Sequence, residues 1–155
     1  MGIIELGIIL VHPILALILL WWMFQQLSWK KKGTTLRGKE REESLEVHER
    51  VGTRLLPALL IVVICAFLSN IWRGINEGLG WDEYFFPSNL HSATGIIGTI
   101  LFFVTWRLGR EIVEKRQANE SWQHTKSKHR RAAELIIILG CIHAFIGFIL
   151  IFRLF

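Results

Sequence analysis

Apolar residues gather in four blocks along the chain, at about 3–23, 55–72, 90–106 and 132–155, and nearly all the charge falls between them. None of the blocks alternates with the two-residue period of a half-buried strand. Each is close to the 20 or so residues that a helix needs to cross a hydrocarbon layer about 30 Å thick. Lipid satisfies no backbone polar groups, so only helices and closed barrels span it. The pattern therefore predicts an all-α, integral membrane four-helix up-down-up-down bundle, with 1–155 as a single transmembrane domain. The first block carries only Glu5 and His12 as titratable groups. With no basic stretch before it and no small-residue cleavage site after it, it is expected to be a span and not a removable leader. Pro13 predicts a kink in the first span, Pro57 sits early in the second, and Pro87 precedes the third, where a helix start tolerates it.

Charge sets the expected orientation. The segments 25–54 and 107–131 hold 8 Lys/Arg each, whereas 69–89 holds only Arg73 against Glu77, Asp82 and Glu83. The excess of cations on cytoplasmic loops places both basic loops inside and both termini on the outer or lumenal side. The net charge of +5 is then a topology signal, and a nucleic-acid partner, a soluble enzyme and a disordered tail are excluded. Trp21, Trp22 and Trp106 are expected at the inner interface, and Trp72 and Trp81 at the outer one. The basic segments are expected to continue the helices, 40–49 into the second span and 121–131 into the fourth. Cys65 and Cys141 lie within spans and read as small apolar residues. The Asn119-Glu120-Ser121 sequon falls on the inner side and is expected to be silent.

Six histidines carry the candidate chemistry: His12, His48, His91, His124, His129 and His143. A histidine inside a membrane is costly and usually has a partner or a task. Three of them share a pattern, with Gly52 following His48, Gly95 following His91 and Gly147 following His143, each four residues on. A glycine one turn along removes a side chain beside the imidazole, so that a flat ring system can approach; packing of helices through small residues wants glycine too. His129 and His143 are 14 residues apart, about 40° short of four turns, so they face one way and stand about 21 Å apart along the helix. That is the separation of two haems stacked across one bilayer. His48 matches His129 in depth on the inner side, while His12 and His91 lie towards the outer side. In an up-down-up-down bundle the first and third helices are diagonal, as are the second and fourth. A bis-histidine haem between diagonal helices pairs His48 with His129 and His12 with His91. His143 is a rival for the outer site, expected otherwise to serve through a hydrogen bond. Arg50, Arg54, Arg130 and Arg131 are placed for inner propionates or are plain inside-positive charge.

Other metal chemistry fits less well. No Cys-x-x-Cys-His is present for covalent haem, His48-Glu49 lacks the second histidine of a zinc protease, and no close histidine groups suit a di-iron centre.

The series His12-Pro13, His48-x-x-x-Gly52-x-x-Leu55-Leu56, Pro87-x-x-x-His91-x-x-x-Gly95 and Lys128-His129 followed by Gly147 resembles the four-helix membrane proteins of cyanobacteria and plastids grouped as domain-of-unknown-function family 4079. That family is similar in turn to b-type transmembrane cytochromes. The basic insert 30–41 departs from the pattern. The resemblance implies a plasma or thylakoid membrane and one or two non-covalent haem b groups. Taken together, the chain is expected to be a membrane cytochrome passing electrons to or from a quinone or a redox partner protein, with no catalytic side chain assigned. A pigment-binding or assembly subunit, where a single histidine ligates chlorophyll, is the alternative. A structural subunit with histidines as helix glue is a third reading.

Overall fold

A computed structural model describes residues 3–87 and 89–152. Among these the chain is helical throughout, with no strand: α1 (Ile3–Leu27), α2 (Trp29–Thr35), α3 (Gly38–Asn76), α4 (Trp81–Phe85), α5 (Leu90–Gln117) and α6 (Gln123–Ile151). The four long helices contain the first three apolar blocks and 132–151 of the fourth, whose last residues, 153–155, lie outside the described residues. At 39 residues α3 is about 58 Å long, well beyond a hydrocarbon layer, because the Glu/Arg segment before Arg54 continues the helix as expected. The basic insert forms the separate short helix α2, divided from α3 at Leu36-Arg37 and joined to it through Gly38 at φ +52°.

Local chemistry fixes where these helices start and stop. Asn89 caps α5, its side chain accepting from the Ser92 amide at 2.9 Å while the Ser92 hydroxyl faces the Asn89 amide. This box sets His91 in the first turn. Both α3 and α5 end in Schellman turns. Gly78 (φ +67°) lets Leu79 N–H reach the Gly74 carbonyl at 3.0 Å. Asn119 (φ 56°) plays the same part for Glu120 and the Lys115 carbonyl at 2.8 Å. Pro87 lies outside the helices, two residues before the Asn89 cap.

Each long helix packs on two others: α1 on α3 and α6, and α5 on α3 and α6. The remaining pairs, α1 with α5 and α3 with α6, are diagonal across the array, with no Cα atoms within 8 Å of each other. Leu19 and Met23 of α1, Leu55 and Val62 of α3, Phe102 of α5, and Ile136 and Ile137 of α6 form the small core. Most apolar side chains point the other way. Ile14, Leu17, Ile18, Ile61, Ile64, Ile100, Ile138 and Phe145 are each half exposed or more, as are Trp21 and, nearly so, Trp72. An apolar belt on every long helix is the inverse of a soluble protein and suits a lipid surround.

Three helices, α1, α3 and α6, are long and apolar enough to cross a membrane. The expectation that all four blocks would qualify is corrected at α5, whose apolar run is diluted by His91, Ser92, Thr94, Gly95, Gly98, Thr99 and Thr105. Of these, His91, Thr94, Gly95, Gly98 and Thr105 meet α6.

The basic end of the array is tied by ion pairs. Arg116 of α5 grips Glu49 of α3 with two hydrogen bonds, 2.8 and 2.9 Å. Lys115 meets Glu111 at 2.7 Å, and Glu111 also accepts from the Thr125 hydroxyl at 3.0 Å across to α6. These bonds hold the Glu111 carboxyl below its ordinary pKa. At the opposite end Tyr84 of α4 folds onto Gly74, where a methyl group would overlap its ring.

Candidate cofactor site

One register organises the α5–α6 pair: residue i of one helix faces residue 238 − i of the other. His129 lies over Gly109, His143 over Gly95, and His91 over Gly147. A Cβ at those glycines would come within 3.3, 3.0 and 2.7 Å of the imidazole Cε1 atoms. The glycines therefore admit the facing helix's imidazole. This corrects the expected part of Gly95 and Gly147, which was to clear space for a flat group beside the histidine of their own helix; antiparallel packing swaps the partners. Gly52 differs, with nothing within 4 Å of the position a Cβ would take.

At the basic end a cavity with about 580 Å³ of free space, its mouth included, opens between α3 and α6. His48, Gly52 and Leu55 line it from α3, and His129, Ala133, Ile136 and Ile137 from α6. Met23, Gln26 and Leu27 of α1 and Phe102, Thr105 and Trp106 of α5 close its sides. The His129 Nδ1–H donates to the Thr105 carbonyl at 2.9 Å, which fixes the tautomer and leaves Nε2 with its lone pair free. His48 stacks on Trp29, ring centroids 5.5 Å apart.

Three polar atoms there are buried without a hydrogen-bond partner: His48 Nδ1, Gln26 Oε1 and Trp106 Nε1. All three residues line this one cavity. Leaving a buried polar atom unpaired costs about 1–3 kcal/mol, so three around one apolar cavity mark a place for a ligand with both apolar and polar parts. Arg50, Arg54, Arg130 and Arg131 are exposed, and none of them lines the cavity.

At the opposite end the histidines are arranged otherwise than expected. His12 and His91 come together from α1 and α5, ring centroids 6.1 Å apart and planes at 79°. His143 was to stand aside; instead its ring stacks on His91 at 3.9 Å, with planes 16° apart. That is van der Waals contact, with no slot for a macrocycle between those two rings. The Nδ1 atoms of His12 and His91 each donate to a backbone carbonyl, Val62 at 3.3 Å and His143 at 3.2 Å. The His143 Nδ1 lies 3.1 Å from the Thr94 hydroxyl. His124 is exposed and joins neither group.

Gly109, Thr105, Gln26, Trp29 and Thr94 are not among the residues the sequence singles out, and Trp106 is expected there only as an interface residue. A signal for Gly109 existed, since Gly95 and Gly109 repeat on α5 the 14-residue spacing of His129 and His143 on α6. Comparison with family models, curated proteins and solved structures finds no match.

Proposed function

We propose that the chain is a four-helix membrane cytochrome that holds haem b in the basic-end cavity, between His48 of α3 and His129 of α6, and carries electrons in the membrane. The observation that supports this best is the convergence of two histidines and three unpartnered polar atoms on one apolar cavity, set between diagonal helices whose Cα atoms stay more than 8 Å apart. The cavity's chemistry fits the group. His129 offers Nε2, and His48 faces it from the other helix. Gly52 leaves open space, and the aliphatic wall suits a macrocycle. Trp106 N–H and Gln26 supply polar contacts at its edge. When bound, haem supplies one-electron chemistry, and the protein sets its potential through axial ligands, hydrogen bonds and burial. A quinone or a redox protein is the proposed exchange partner.

The proposed orientation puts the basic end, with α2 and the α5–α6 turn, inside and the termini outside, since cations are retained on the cytoplasmic face. Cysteines introduced at Lys31 and Asp82 should label from opposite sides; labelling of both from one side contradicts it. The cofactor is tested by a pyridine haemochrome spectrum of the purified protein. Haem b is expected, and its loss in His48→Ala and His129→Ala; full haem content in both variants refutes the site.

A further inference from the structure

The histidines at the opposite end are not used by this reading. We infer that His12, His91 and His143 form a three-imidazole site for a single transition-metal ion of the Cu²⁺ or Zn²⁺ kind.

One ring nitrogen from each of the three lies within 4.8 Å of the other two. Their hydrogen bonds say which nitrogen is on offer. His12 and His91 spend Nδ1–H on the Val62 and His143 carbonyls. Thr94 has one hydroxyl proton, and it faces the Leu90 and His91 carbonyls at 2.9 and 3.0 Å. Its oxygen therefore accepts from His143 Nδ1–H. Each imidazole thus has Nδ1 anchored to oxygen, which leaves Nε2 for a metal ion. That is the outer-sphere arrangement that orients metal-binding histidines.

The dimensions suit one ion and not a macrocycle. Metal–nitrogen bonds of about 2.0–2.1 Å place tetrahedral ligands about 3.3 Å apart, so nitrogens up to 4.8 Å apart must close by an ångström or so. The His91 and His143 rings are within 16° of parallel, so their lone pairs do not converge until one ring turns. His143 is the one that turns. Its anchor is a rotatable side-chain hydroxyl, whereas His12 and His91 are held to helix backbone. Imidazole ligands suit copper, zinc, iron and nickel, and three of them leave a fourth position open. His91 sits in the first turn of α5, so the site lies near a helix end. There an ion is less costly than at the bilayer centre.

The test uses the purified full chain, equilibrated with Cu²⁺ or Zn²⁺ alone and dialysed against a weak chelator. About one ion per chain should remain, and Cu²⁺ should show hyperfine coupling to three imidazole nitrogens. His12→Ala, His91→Ala and His143→Ala should each weaken binding at least about tenfold, and His124→Ala should not. Zn²⁺ should raise the melting temperature of the parent and of His143→Gln unequally, the variant less. His48→Ala should lose haem and keep the ion, which separates this site from the proposed cytochrome. Retention of no ion, or equal retention in all three variants, overturns the inference. Two haems per chain, falling to one in His12→Ala or His91→Ala, overturns it as well.

Discussion

His129 at the basic end and His91 at the opposite end are held by the same device. Each imidazole lies over a glycine of the facing helix, Gly109 or Gly147. Each donates Nδ1–H to the carbonyl four residues before that glycine, Thr105 or His143. What lies beyond Nε2 differs. In front of His129 is a cavity with unpaired polar atoms. Around His91 are two more imidazoles at contact distance. One local motif, repeated by an antiparallel register, thus presents one nitrogen to a large apolar site and the other to a compact polar one. The ligand follows from the surroundings of the histidine and not from its own anchoring.

The sharpest way to break the comparison is to exchange losses between the ends. His129→Ala should abolish haem binding while the metal stays, and His12→Ala should do the reverse. Absorption and metal content measured on the same samples read both. Loss of both ligands in either variant would show that the ends are one site.

The glycines give the next largest effect. Alanine at 147 would set Cβ 2.7 Å from a ring held to backbone, so something must shift, and overpacking of this kind costs about 1–3 kcal/mol. Alanine at 109 meets His129 at 3.3 Å, a contact that small adjustments relieve. Its better helix propensity, worth up to about 1 kcal/mol, offsets the strain. Thermal unfolding followed by circular dichroism should rank Gly147→Ala clearly below Gly109→Ala and the parent. The reverse order would mean that the glycines do not seat the rings.

These positions also show what the sequence could and could not disclose. Long apolar blocks and charged gaps foretold four long helices and the extension of α3, because burial in lipid and solvation act on composition over many residues. That His48 and His129 line one cavity follows from depth and diagonal placement alone. The role of Gly95 and Gly147 was misassigned because a glycine four residues from a histidine looks like its own neighbour, while helix pairing gives it to the other chain segment. Gly109 carried its signal only as a spacing matched to α6. Thr105 and Thr94 act through a carbonyl and a rotatable hydroxyl, and neither leaves a pattern in one helix alone. The stacking of His143 on His91 depends on interhelical distance, which periodicity does not report.

Smaller effects distinguish the basic end further. Arg116→Ala removes a partly exposed two-bond pair to Glu49, so a loss of up to about 1 kcal/mol, shrinking in high salt, is expected. Haem content should stay unchanged, since neither residue lines the cavity. Smallest is the acid response of Glu111. Its folded pKa lies below the ordinary 4.5, through hydrogen bonds from Lys115 and Thr125. Its contribution is therefore present above that value and fades as pH falls through the lower folded pKa. A melting curve taken below pH 4.5 should show a larger drop for the parent than for Glu111→Gln, and equal drops would remove this link from α5 to α6.

The central claim, a haem held by two histidines in the basic-end cavity, is met most directly by haem stoichiometry and electron paramagnetic resonance on the purified protein. The account predicts about one haem b per chain, low-spin when oxidised, as two nitrogen axial ligands require. A protein that purifies colourless, or one whose only pigment is a chlorophyll, would contradict it.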